Sequence, residues 1–307
     1  MKLKTKITTI ISFLIIILIA LLSYNYKDKL YKFYNKLFYQ EEITKITYND
    51  YYKNNDYLYV QNTTDFRAKN NDHLKNIFYT IINSGVSSFT FYCNDNYKEC
   101  LTDVEKLAND QTKLSNINNY VHPFNSFKKI YVTYSDKGKI TVKIDKTYTD
   151  EEITELNSKV DNIIKEVINE DMNTNAKIRT IHDYIINNSN YANDEMIKDN
   201  PNIYNKATGN LLNKYGLCSG YADAMALFLE RFEVNNYKIA STSHIWNLVK
   251  IDDEWLHLDL TWDDPIASDG KDHLEILFFL IDDNRLKELN VEQHDYDKNI
   301  YMETSLK

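Results

Sequence analysis

Three short runs decide the reading of this chain: Tyr215-Gly216-Leu217-Cys218-Ser219-Gly220-Tyr221, then His244-Ile245-Trp246-Asn247-Leu248-Val249-Lys250-Ile251, then Glu254-Trp255-Leu256-His257-Leu258-Asp259-Leu260-Thr261. After the first run, Ala222, Met225, Leu227, Phe228 and Leu229 recur at helical spacing. Cys218 therefore stands at or just before a helix N-terminus, where unpaired amides and the helix dipole stabilise a thiolate. Gly216 and Gly220 permit a tight turn and close backbone approach. The two later runs read as strands, and Asp252-Asp253 between them predicts a two-residue hairpin. That register pairs Ile251 with Glu254 and, counting outward, Trp246 with Asp259. His244 lies two residues beyond on the same face, a diagonal neighbour of Asp259 at about 7–8 Å. The hairpin thus permits a His244–Asp259 hydrogen bond on the face that also carries Trp246 and Trp255.

A thiol nucleophile needs a base to take its proton and a third group to fix the imidazole tautomer. Cys218, His244 and Asp259 supply these in chain order. Each residue taken singly reads as an ordinary core or capping group, and it is their combination that points to catalysis. His257, on the same face as Asp259, is the competing base. His182 reads as a buried or capping histidine, and His273 and His294 read as surface residues. Asp263-Asp264-Pro265 reads as a turn ending the strand. No metal site and no cofactor is expected.

The rest of the chain sets the context. It has 307 residues, with 43% hydrophobic and 26% charged, a globular composition. A net charge of -9 argues against a nucleic-acid binder, which needs basic surface to displace counterions from phosphates. Three Cys exclude a disulfide-dense scaffold. Lys2, Lys4 and Lys6 precede an apolar run from Ile7 to Leu22, long enough for a membrane span and lacking an A-x-A cleavage signal. The expected organisation is a cytoplasmic tip and transmembrane anchor over 1–24 and a stalk over 25–45. A small α+β domain over 46–148 and a catalytic-type domain over 149–307 follow, both outside the cell. Secretion after signal cleavage is the alternative. An exterior location allows Cys93 and Cys100 to close a short loop around a turn-like stretch, leaving Cys218 free.

Within 46–148, His73–Ile82 has helical spacing and Ser87–Cys93 reads as a strand. Alternation at Ile130, Val132, Tyr134 and at Ile140, Val142, Ile144 flanks a hairpin signal, Ser135-Asp136-Lys137-Gly138. Thr149-Asp150-Glu151-Glu152 is a capping box that opens a helix. A second helix runs from about Asn175 to Ile186.

The Cys218 helix start, His244-Ile245-Trp246 and Trp255-Leu256-His257-Leu258-Asp259 together resemble the transglutaminase-like superfamily, a circularly permuted relative of papain-type proteases. The helix Lys177–Ile186 and Tyr191 resemble the segment that precedes the cysteine in bacterial members. The resemblance covers about residues 150–270. It implies an α+β fold with the cysteine helix packed on an antiparallel sheet. It also implies Cys218 as nucleophile, His244 as base and acid, and Asp259 as its orienter. Oxyanion donors would be the Cys218 amide and one side chain, with Tyr191 and Tyr215 as candidates. The implied activity is amide hydrolysis or acyl transfer through a thioester, on protein or cell-wall peptide. The alternative is an inactive surface or envelope module that binds peptide or glycan through Trp246, Trp255 and nearby tyrosines.

Overall fold

The structure is a computed structural model. It describes residues 45–135, 137–264 and 276–306, and before them positions 13, 16, 17, 19, 20, 22–27, 29, 30 and 33. The chain divides into two units, Met1–Lys45 and Ile46–Lys307. In the first, Tyr26 and Leu30 amides donate to the carbonyls of Leu22 and Tyr26, at 2.9 and 2.8 Å, in helical steps. Most of the anchor and stalk anticipated from the sequence lies outside the described residues. Among the described residues no helix is long and apolar enough to cross a membrane.

Among the described residues, the second unit is a mixture of helices and three small sheets. Strands β1 (Arg67–Ala68), β2 (Ser88–Cys93), β3 (Phe127–Tyr134) and β4 (Lys139–Lys146) form a sheet in the order β1-β2-β4-β3. Helix α1 (Asn71–Asn83) has its apolar stripe, Leu74, Ile77, Phe78 and Ile81, fully buried. The sequence pattern did not mark α3 (Gln111–Asn118), which follows α2 (Cys100–Asn109) after one residue. Cys93 and Cys100 are joined by a disulfide that ties the end of β2 to the start of α2.

Helix α4 (Asp150–Val167) starts at the anticipated capping box. The Glu152 amide donates to Thr149 Oγ1 at 3.2 Å, and Glu152 Oε2 accepts from the Thr149 amide at 2.9 Å. Its buried residues Leu156, Val160 and Ile163 pack with Ile178, Ile181 and Ile185 of α5 (Thr174–Asn188). A two-stranded parallel pair, β5 (Asn190–Tyr191) and β6 (Tyr215–Gly216), brackets helix α6 (Ala207–Leu212). Helix α7 (Cys218–Arg231) starts two residues after β6.

The third sheet is an antiparallel meander, β7 (Asn236–Ala240), β8 (Ile245–Ile251) and β9 (Glu254–Leu258). Its hairpin has the register read from the sequence, Ile251 with Glu254 through Asn247 with Leu258. Asp252 and Asp253 take φ of 48° and 68°, the left-handed pair that a two-residue primed turn requires. Both faces of this sheet are covered. Val249, Ile251 and Leu258 pack with Met225, Phe228 and Leu229 of α7. Tyr237, Ile239, Trp246 and Leu248 join a second core with Tyr57, Tyr120 and the α1 residues. The 46–148 and 149–307 segments therefore share a core. Lys53 adds a polar link, its Nζ donating to the Asn236 carbonyl at 2.6 Å and pairing with Glu230 at 2.8 Å.

Two features fix the cysteine helix against its surroundings. Its Asp223 is buried and accepts from Lys238 Nζ of β7 at 2.6 Å and from Tyr148 Oη at 2.7 Å. A buried carboxylate needs such partners, since leaving it alone costs several kcal/mol. The glycines answer to space. A Cβ on Gly220 would stand 2.6 Å from the Tyr204 carbonyl, and one on Gly216 would stand 1.9 Å from Asn210 Oδ1. Only hydrogen at these two positions lets the segment enter the helix so close to its neighbours.

Candidate active site

Cys218 is the first residue of α7, with Leu217 as the N-cap. It is a free thiol, half-buried, at the end of the helix where backbone amides lack intrahelical partners. His244 closes the short loop between β7 and β8, its amide donating to Ser241 Oγ at 3.1 Å. The imidazole Nε2–H donates to Asp259 Oδ2 at 2.5 Å, and the ring lies close enough to Cys218 to feel its charge. Asp259 follows β9 directly and is 2% exposed. The structure thus brings Cys218, His244 and Asp259 together.

Electrostatics follow from this geometry. Burial opposes the imidazolium of His244, but hydrogen bonds to Asp259 and Cys218 and their charges outweigh it. His244 is raised to about 9. Burial would likewise raise the Asp259 carboxyl. Hydrogen bonds from His244 and from a second histidine, His294, reverse that and hold it at about 2. Asp259 Oδ1 accepts from the amides of Thr261 at 2.9 Å and Trp262 at 3.3 Å. At neutral pH the pair is therefore an imidazolium on a carboxylate.

Tyr191, at the end of β5, lies close enough to Cys218 to feel its charge. Burial and the charge of Cys218 push its phenol up. Of the two tyrosines singled out from the sequence, Tyr191 is the one that meets Cys218. Tyr215 sits in β6, paired with Asn190 and half-buried.

Three readings of single residues change. Trp246, expected to contact substrate, is 1% exposed. It stacks against the His244 ring at 5.5 Å and donates its indole N–H to His257 Nδ1 at 3.0 Å. Both faces of its sheet are covered, so the indole backs the imidazole instead of lining an open surface. His257, the competing base, is buried and lowered to about 3, chiefly by desolvation. It stays neutral and accepts from the indole. His294, expected on the surface, is 5% exposed and donates from Nε2 to Asp259 Oδ2 at 2.8 Å. Sequence reasoning missed it because nothing local links it to the hairpin. His182 is buried as expected, held between Asp183 at 2.9 Å and Asp263 at 3.1 Å. His273 lies outside the described residues.

His244, Asp259 and His294 also place their ligand-type atoms within 4.8 Å of one another. The two N···O separations are hydrogen-bond lengths, shorter than the about 3.3 Å between ligand atoms around a tetrahedral zinc. The three groups are held to one another by these two hydrogen bonds.

No curated protein matches the chain. Two solved structures are similar over part of their lengths. One is a TGase, at 11% identity and a TM-score of 0.34, covering 49% of this chain and 47% of that one. The other is a candidate cysteine protease from Cytophaga hutchinsonii, at 13% identity and a TM-score of 0.26, covering 43% of this chain and 61% of that one. The chain spans less than two thirds of the length of either. Residues 161–260, which hold Cys218, His244 and Asp259, match the family model described as the transglutaminase-like superfamily.

Proposed function

We propose that this protein is a cysteine enzyme acting on amide bonds through a thioester, with Cys218 as nucleophile, His244 as base and acid, and Asp259 as orienter. The observation that carries this reading is the chain of contacts from Cys218 through His244 to Asp259. In the resting site an imidazolium faces the sulfur. The Cys218 thiolate attacks the amide carbon and a C–S bond forms. The Cys218 amide and the Tyr191 hydroxyl are the donors proposed for the developing oxyanion. His244 gives its proton to the leaving amine as the C–N bond breaks. Water or an amine then attacks the thioester, returns a proton to His244 and frees the sulfur.

Protein or cell-wall peptide at the cell surface is the proposed substrate class, and the N-terminal apolar run is the proposed anchor. Two features support that location. Basic residues precede the run, and a disulfide joins Cys93 to Cys100, a bond that persists in oxidising compartments.

The test is an assay of the full chain with a glutamine-containing peptide and a labelled amine. Ammonia release, amine incorporation or backbone cleavage is expected from the native chain and is lost with Cys218→Ala. Tyr191→Phe is expected to lower turnover by about 100-fold, the loss seen for one oxyanion donor. Equal turnover by Cys218→Ala would refute the reading.

A further inference from the structure

We infer that His294 is a positioning residue, a second imidazole that holds Asp259 in register for His244. The inference rests on the reading of Cys218, His244 and Asp259 as one working unit. His294 comes from a single 3-10 turn, Glu292–His294, far along the chain from the hairpin. Its Nε2–H reaches the same carboxylate oxygen that serves His244, at 2.8 Å against 2.5 Å. Its other nitrogen, Nδ1, is buried and has no hydrogen-bond partner among the described residues. The only polar work of this ring is therefore done at Asp259.

The ring is also held tightly. It stacks on Phe278 at 4.7 Å and 11°, and meets Trp246 edge-on at 4.9 Å and Trp262 at 5.5 Å. A side chain fixed on three sides transmits its position to whatever it donates to.

The consequence lies in how Asp259 is saturated. Oδ1 is tied to the amides of Thr261 and Trp262, and Oδ2 to two imidazoles. Each oxygen carries two donors, so the carboxylate cannot turn about its axis without breaking at least one pair. Of the two donors on Oδ2, His244 must exchange protons with the sulfur and the leaving group. His294 has no such duty. It keeps Oδ2 aimed and ionised while the His244 proton moves, which is the part a charge-assisted hydrogen bond plays best.

Two substitutions separate the donor from the ring. His294→Phe keeps the aromatic packing and removes the N–H. His294→Gln removes the ring and keeps an N–H at about the Nε2 position. The readout is the second-order rate of Cys218 alkylation by iodoacetamide at pH 5.5 in the full chain, alongside the thermal midpoint. His294→Phe is expected to react about tenfold more slowly than the native chain, and His294→Gln to come back to within about threefold, because the rate follows the donor. The midpoint follows the ring, falling more in His294→Gln. A rate that follows the ring, or a His294→Phe rate equal to the native one, overturns the inference. Should His294→Phe unfold, the Gln variant decides alone: a native-like rate supports the inference and a slow one overturns it. His244→Ala distinguishes the underlying reading. If it reacts as fast as the native chain, the working unit itself fails. If it is slow while His294→Phe is unaffected, only the role of His294 fails.

Discussion

Two imidazoles on one hairpin meet opposite fates. His244 lies at the carboxylate end of the β8–β9 ladder and is raised to about 9. His257 lies one step along β9 in an aromatic pocket with Trp246 and Tyr296, and is lowered to about 3. Both rings are buried. Burial alone pushes each toward the neutral form, so it cannot explain the difference. What separates them is the partner. His244 has a carboxylate on Nε2 and Cys218 close by, and His257 has only the indole N–H, which needs a neutral acceptor. The same residue type in the same sheet is a charged group in one place and a structural acceptor in the other.

Asp259→Asn breaks the comparison most severely. It leaves the shape and removes the charge that keeps His244 protonated. Cys218 alkylation at pH 5.5 is expected to fall by about tenfold or more, because the positive charge beside the sulfur is lost. Iodoacetamide kinetics followed by intact mass check this. A loss below about threefold would mean that the carboxylate does not govern the sulfur.

His257→Leu acts on the other side. It leaves the Trp246 indole N–H buried and unpaired, which costs about 1–3 kcal/mol of stability, while alkylation at pH 5.5 is expected to stay within about threefold of native. Denaturant melts and the same kinetics test both halves. A large loss of reactivity at unchanged stability would restore His257 as the base.

The smallest effects are in the pH dependence of stability, and their signs differ. His244 is raised above its unfolded value of about 6.5, so its stabilisation is complete below pH 6.5 and is lost as pH rises through about 9. His257 is depressed, so the unfolded chain takes up a proton below about pH 6.5 that the folded chain refuses until about 3, and stability falls over that interval. Asp259 adds to the acid side only below its unfolded value of 3.8, down to about 2. His257→Leu is therefore expected to flatten the decline in thermal midpoint between pH 6.5 and about 4, and His244→Ala the decline between pH 7 and about 9. Parallel curves for both variants and the native chain would show that neither ring has the environment described.

What the sequence made legible was local or periodic. The Thr149–Glu152 box, the turn at Asp252-Asp253 and the register that brings His244 near Asp259 all follow from spacing over a few residues. The parts that escaped depend on contacts between distant segments. His294 reaches Asp259 from a single turn of 3-10 helix with no periodicity to mark it. Trp246 departs from the expectation because an aromatic on a strand is equally consistent with an open face and with one covered by another core, and here His294 and Tyr296 pack against it. The pair β5–β6 that sets Tyr191 beside Cys218 is two residues long in each strand, too short for any alternation to show.

The central claim is that the sulfur of Cys218 works as one unit with an imidazolium held by Asp259. Its most direct test is the rate of Cys218 alkylation by iodoacetamide across pH 4 to about 10, read by intact mass. The expected profile changes near 9, where His244 gives up its proton, and that change is absent from His244→Ala. The same profile in both chains would show that the imidazole does not act on the sulfur.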